Sequence, residues 1–263
     1  MKKILSLLVM TVVLVSASLT SFGATQTIQA DLATGIVNVE YSTSSSSKIL
    51  LLVEKDGQRY SYPIVDTDVN QFPLQLGNGT YTVRLMQNTT GNSYKELTKT
   101  SVTLNLANSN VVYLNSIQDI EWNEDTLAVQ KAYELTKNLT SDDAKVKAIY
   151  NYITKNYKYD YNKAKTVTSG YFPNVDSTFA SKNGICYDYS ALFAAMTRSV
   201  GIPTKLVKGY SVNTGDVYHA WNEIYINGAW KTVDTTVDAS YVQANKAVSI
   251  YKLAKDYSVS KVY

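Results

Sequence analysis

The chain of 263 residues contains one cysteine, one histidine and only four prolines. A lone cysteine cannot close an intramolecular disulfide, and one cysteine with one histidine cannot build a Cys/His zinc site, so neither staple holds this fold together. No EF-hand spacing of acidic residues points to calcium either, and we expect no metal and no cofactor. Charge of one sign is also lacking. There are 25 basic against 22 acidic side chains, and setting aside Lys2 and Lys3 leaves 23 against 22. That balance gives no electrostatic basis for binding nucleic acid. Long apolar runs are scarce: the one from Ile4 to Val15 is shorter than the ~20 residues a membrane-spanning helix needs. Preceded by Lys2 and Lys3 and followed by mainly small residues from Ser16 to Ala24, it reads as a signal peptide over residues 1–24. The expected product is secreted, extracellular or cell-wall associated, with no membrane partner after cleavage.

Tyrosine is abundant where the other special residues are not: there are 22, against five phenylalanines, and 16 of them lie after residue 118. The composition shifts at about the same place. Before it, alternating β-branched-rich runs such as Ile36 to Tyr41, Ile49 to Glu54, Thr80 to Met86 and Ser101 to Leu106 are separated by turn signals at Asp56-Gly57, Asn78-Gly79 and Gly91-Asn92. Short strands at this spacing predict an antiparallel β-sandwich of immunoglobulin-like type over residues 25–118. This half has no cysteine and no histidine, and we assign it no chemistry.

Residues 119–263 change period, which makes the whole chain α+β. A helix is expected around Leu127 to Lys137. Ser141 followed by Asp142 and Asp143 is a strong helix start, since a hydroxyl caps free N–H groups and first-turn carboxylates complement the helix dipole. Val146, Ile149, Tyr150, Ile153 and Tyr157 then recur at helical spacing as a buried stripe. After a polar stretch from Asp160 to Lys182, a further helix is predicted from Cys186 to Val200, ended by Gly201 and Pro203. The only cysteine therefore stands in the first turn of a helix. The positive helix end lowers a thiol pKa from ~8.5, and the thiolate is the nucleophile.

The only histidine opens a strand. His219 to Ile226 leads into Asn227-Gly228, a strong hairpin turn, and Ala229 to Thr235 reads as the returning strand. A two-residue turn fixes the register, so that Trp221 faces Asp234 and His219 faces Thr236. His219, Trp221, Glu223, Tyr225, Trp230, Thr232 and Asp234 share one face. His219 and Asp234 are diagonal neighbours there, close enough for imidazole and carboxylate to hydrogen-bond. A carboxylate that orients an imidazole is what a general base beside a nucleophile requires.

The segments NGICYDYSALFAAMTRSVGIPTKLVKGY, from Asn183 to Tyr210, and YHAWNEIYINGAWKTVDTT, from Tyr218 to Thr236, resemble the transglutaminase-like core of papain-type cysteine enzymes. The resemblance covers about residues 140 to 240 and implies a papain-like α+β domain. It also implies Cys186 as nucleophile, His219 as general base and acid, and Asp234 as the orienting carboxylate. Chemistry of that kind forms a thioester on a carboxamide or peptide carbonyl. An amine resolves it in a cross-linking transglutaminase, and water does so in a protease or amidase. The expected partner is a protein or peptide substrate, cell-wall peptide included. The oxyanion needs donors: one is expected to be the backbone N–H of Cys186, and Tyr171 or another polar side chain from the loop before Lys182 is a candidate for the second, a role left unassigned. Trp221, Trp230 and the many tyrosines are candidates to line a substrate tunnel, the alternative being that they are core and sheet surface, and Trp221 and Tyr171 are taken as substrate-binding residues. The competing class is a non-catalytic surface or wall-binding protein that uses the β-sandwich and a degenerate transglutaminase-like scaffold.

Overall fold

A computed structural model describes residues 15–18, 25–42, 47–65 and 70–263. The expected export segment, residues 1–24, therefore lies outside the described residues except for 15–18. Two compact units make up the chain, Met1–Ser109 and Asn110–Tyr263. Among the described residues no helix is long and apolar enough to cross a membrane.

Among the described residues the first unit has eight strands: β1 (Val15–Ser18), β2 (Thr25–Asp31), β3 (Ile36–Ser42), β4 (Ile49–Lys55), β5 (Gln58–Ile64), β6 (Asn70–Pro73), β7 (Gly79–Asn88) and β8 (Tyr94–Leu104). They form two antiparallel sheets with strand orders β1-β2-β3-β6 and β5-β4-β7-β8. Alternation sets the faces. Val37 and Val39 in one sheet and Leu51, Val53, Val83 and Leu85 in the other are fully buried, each contributing about 1.5–3 kcal/mol. The two sheets meet where the Tyr62 and Phe72 rings lie 4.9 Å apart. Strand β5 escapes sequence patterning because it begins with two exposed polar residues and contains Pro63. A proline is tolerated there because β5 is an edge strand, where its missing N–H costs no ladder bond.

The second unit begins within a 3-10 turn (Ser109–Leu114), at Asn110. Residues 110–118 belong to it. Val112 and Ile117 are buried, and the carbonyl of Asn115 accepts from Arg198 Nη1 at 2.6 Å. There follow α1 (Leu127–Thr136), α2 (Asp142–Asn156), β9 (Lys158–Tyr159), α3 (Tyr161–Thr166), α4 (Val175–Ser181), β10 (Asn183–Gly184), α5 (Cys186–Ser199), β11 (Thr204–Ser211), β12 (Gly215–Ile226), β13 (Ala229–Val233), α6 (Thr235–Gln243) and β14 (Tyr257–Val262). Ser141 caps α2, accepting from the Ala144 N–H, and the stripe from Val146 to Tyr157 is buried. The polar stretch from Asp160 to Lys182 is not a plain loop: it folds into α3 and α4, with Asp160 and Asn174 as their N-caps.

Helix α5 is buried on nearly every side from Asp188 to Arg198. It ends as its sequence demands. Gly201 takes φ of 84°, its N–H reaches the Arg198 carbonyl, and the Ile202 N–H reaches that of Thr197. This is a Schellman closure, in which glycine supplies the left-handed residue. The sheet beside α5 has the order β13-β12-β11-β14, all antiparallel. Of the glycines among the described residues, Gly209 meets the closest approach, for a Cβ there would stand 2.0 Å from the Ser258 carbonyl oxygen. Any side chain there would push β14 off the sheet.

Candidate active site

Three elements deliver the reactive side chains. Cys186 is the first residue of α5, after the N-cap Ile185, whose side chain makes no cap bond. Asp188 does the capping instead, accepting from the Ile185 N–H at 2.8 Å. Fully buried, Asp188 also pairs with Lys163 at 2.7 Å and accepts the Tyr171 hydroxyl. The turn that presents Cys186 is therefore pinned from α3, from the loop before α4 and from α5 itself. Asn222, at the centre of β12, gives its amide protons to the carbonyls of Ser190 at 3.0 Å and Lys205 at 3.1 Å, tying the cysteine helix to the histidine strand.

The hairpin register is the one the Asn227-Gly228 turn requires. Ile226 faces Ala229, Glu223 faces Thr232 and Asn222 faces Val233. Strand β13 stops at Val233, however, two residues before the expected end, and Asp234 becomes the N-cap of α6. The difference suits the acid. Its Oδ1 accepts from the Val237 N–H at 3.1 Å, which fixes the carboxylate plane, while Oδ2 meets His219 Nε2 at 2.9 Å. Tyr257 of β14 donates its hydroxyl to the same Oδ2 at 3.1 Å.

His219 is 4% exposed and Asp234 is fully buried. Burial works against a charged imidazole, but hydrogen bonds to Asp234 and to Cys186, and the charges of both, outweigh it and push His219 up to about 10. With Nε2 turned to Asp234, the other ring nitrogen is the one left for the thiol. The sequence placed Cys186, His219 and Asp234 together, and the geometry joins them.

The two expected substrate contacts fare differently. Trp221 is 1% exposed and lies behind the site, stacked on the His219 ring at 6.2 Å and against Tyr257 at 5.0 Å. A buried indole cannot touch a substrate, so its part is to back the histidine. Tyr171 does line the cleft of about 310 Å³ that opens over Cys186, together with Tyr187, Lys208, Tyr218 and the loop 167–170. Its hydroxyl proton goes to Asp188, and the oxygen accepts from Lys163 at 2.6 Å, so it is not the free second oxyanion donor. Trp230 packs elsewhere, with Tyr113, Tyr225 and the Lys205 ammonium. Sequence patterns did not single out Tyr257, Asn222 or Lys208, because each acts through a partner distant along the chain. Among the described residues no group of three or more His, Cys, Asp or Glu side chains is placed to hold a metal ion.

Residues 129–235 match the transglutaminase-like superfamily. Mouse kyphoscoliosis peptidase is 31% identical over 112 residues, covering 39% of this chain but 17% of the relative. The uncharacterized protein YebA of Bacillus subtilis is 29% identical over 123 residues, covering 40% of this chain and 17% of that one. The chain thus matches under a fifth of the length of either relative. Among solved structures, red sea bream transglutaminase aligns with a TM-score of 0.33 and 12% identity over 76% of this chain and 47% of that one.

Proposed function

Starting from a transglutaminase-like domain over residues 129–235, we propose that this protein is a cysteine-dependent amide hydrolase acting on protein or peptide substrates. The observation that carries the reading is the chain of contacts from Cys186 through His219 to Asp234, with a 2.9 Å bond at the acid end. The Cys186 thiolate attacks a carboxamide or peptide carbonyl, and His219 gives its proton to the departing ammonia or amine. A thioester remains, which water, deprotonated by His219, opens to the acid. Water is taken as the acceptor because the relative that matches at 31% identity, mouse kyphoscoliosis peptidase, is named for hydrolysis. The Lys2-Lys3 and Ile4 to Val15 pattern supports action outside the cell. The strand orders β1-β2-β3-β6 and β5-β4-β7-β8 support reading the first unit as an immunoglobulin-like sandwich.

The test incubates the protein with glutamine-containing proteins and wall peptides, with and without a fluorescent primary amine. Release of ammonia or peptide without amine incorporation, lost in Cys186→Ala, is the expected result. Efficient amine incorporation would make it a transglutaminase. A Cys186 that is inert to substrates and to iodoacetamide would leave a binding protein.

A further inference from the structure

Apart from the Cys186–His219 pair, Lys208 is the only charged side chain among the described residues that line the cleft. It sits on β11 opposite Ala220, the neighbour of His219 on β12. Its ammonium lies 3.6 Å from the centre of the Tyr187 ring and 3.3 Å from Asp119 Oδ1. Asp119 also accepts the Tyr187 hydroxyl, so its charge is divided between two donors.

The two ends of this pair differ in exposure. The Asp119 side chain is 3% exposed and that of Lys208 is 18% exposed, and Lys208 but not Asp119 is among the residues that line the cleft. A substrate entering beside Cys186 meets the positive end of the pair. Burial pushes the Lys208 pKa down, and Asp119 and Cys186 oppose that shift by favouring the charged ammonium. A lysine whose role was only to neutralise Asp119 would leave the cleft indifferent to the charge of what enters it.

We propose that Lys208 determines specificity, selecting acyl substrates that carry a carboxylate beside the attacked carbonyl. This rests on the proposed function, since it requires Cys186 to be the nucleophile. The matching chemistry is a free C-terminal carboxylate or an Asp or Glu side chain next to the attacked amide, and an ammonium at the cleft wall pairs with either.

Iodoacetate and iodoacetamide test this, because each forms a C–S bond to Cys186 with loss of iodide and they carry a carboxylate and a neutral carboxamide respectively. The ratio of their rates, divided by the same ratio for glutathione, is expected to exceed one. It should fall about fivefold in Lys208→Met and hold in Lys208→Arg, as a charge contact at partial exposure implies. If the methionine variant does not fold, Lys208→Gln, which keeps an amide donor for Asp119, makes the same comparison. A reactive Cys186 whose ratio is unmoved by removing the charge overturns the proposal and leaves the proposed function standing. A Cys186 that reacts with neither reagent overturns both. Protection of Cys186 from iodoacetamide then separates the two carboxylate sources. Acetyl-glutamine is compared with acetyl-glutaminamide, and acetyl-Gln-Asp-amide with acetyl-Gln-Asn-amide. Better protection by either acid supports the proposal, and no preference in either pair counts against it.

Discussion

The two units handle charge in opposite ways. Among the described residues of the first no carboxylate side chain is buried, ion pairs such as Arg59–Glu54 and Arg84–Glu96 keep some exposure, and the buried Tyr81 hydroxyl satisfies backbone carbonyls of Leu74 and Gly77. In the second, four aspartates are buried, and each is held by one tyrosine hydroxyl and one cationic side chain. Asp119 has Tyr187 and Lys208, and Asp188 has Tyr171 and Lys163. Asp234 has Tyr257 and His219, and Asp238 has Tyr150 and Lys252. An enclosed carboxylate is tolerable only when its lone pairs are filled as well as its charge matched, and a phenol does this while still packing as an aromatic. The crowd of tyrosines in the second unit is thereby accounted for in part: at least four of them serve as donors to buried acids.

All three tryptophans, Trp122, Trp221 and Trp230, lie in the second unit, so their fluorescence follows its unfolding separately from the first. The largest expected effect is at Asp188. Asp188→Ala strands Lys163, the Tyr171 hydroxyl and the Ile185 N–H together, and should cost ~3–5 kcal/mol in a denaturant transition read by tryptophan emission. A loss under ~1 kcal/mol would mean that the buried acids are no different from surface ones.

Next in size is a dependence on pH. An unfolded histidine titrates near 6.5 and His219 is raised to about 10. The stabilisation is therefore fully present below about 6.5 and is lost as pH rises through about 10. The tryptophan-monitored midpoint should fall across that window, and the fall should flatten in Asp234→Asn. Equal slopes in the two proteins would dissociate His219 from its acid.

A smaller effect is expected for Tyr150→Phe, which removes one donor from Asp238 and nothing from the packing, at ~1–2 kcal/mol by the same measurement. The smallest belongs to the first unit. Arg59→Ala, at a mostly exposed ion pair, should shift that unit's thermal transition by less than ~1 kcal/mol, followed by far-UV circular dichroism. A larger shift would erase the contrast between the units.

What the sequence made legible follows the range of the interactions. Ser141 capping α2, Gly201 ending α5 and Asn227-Gly228 setting the hairpin register are local, and a diagonal across that hairpin was enough to join His219 to Asp234. The cleft wall was legible at Tyr171 but not at Lys208, which meets its acid 89 residues away, and the buried pairing of Tyr150 with an acid 88 residues away was hidden in the same way. No periodicity marks such partners. The aromatic reading of Trp221 went astray for a related reason: alternation put it on the face of His219, but only the packing of Tyr257 from β14 shows that this face is closed behind the ring. Helices α3 and α4 were hidden by their shortness, since neither carries enough turns to display a repeating apolar stripe.

The seat that Gly209 leaves for β14 also has a consequence in time. Cys186, His219 and Asp234 are all synthesised before Tyr257, which follows the acid by 23 residues. On the ribosome the three reactive groups therefore exist as sequence before the strand that backs Trp221 and completes the bonding of Asp234 has been made. The nascent chain passes through a stage in which Asp234 lacks its Tyr257 donor and Trp221 lacks the ring behind it, and both arrive only with β14.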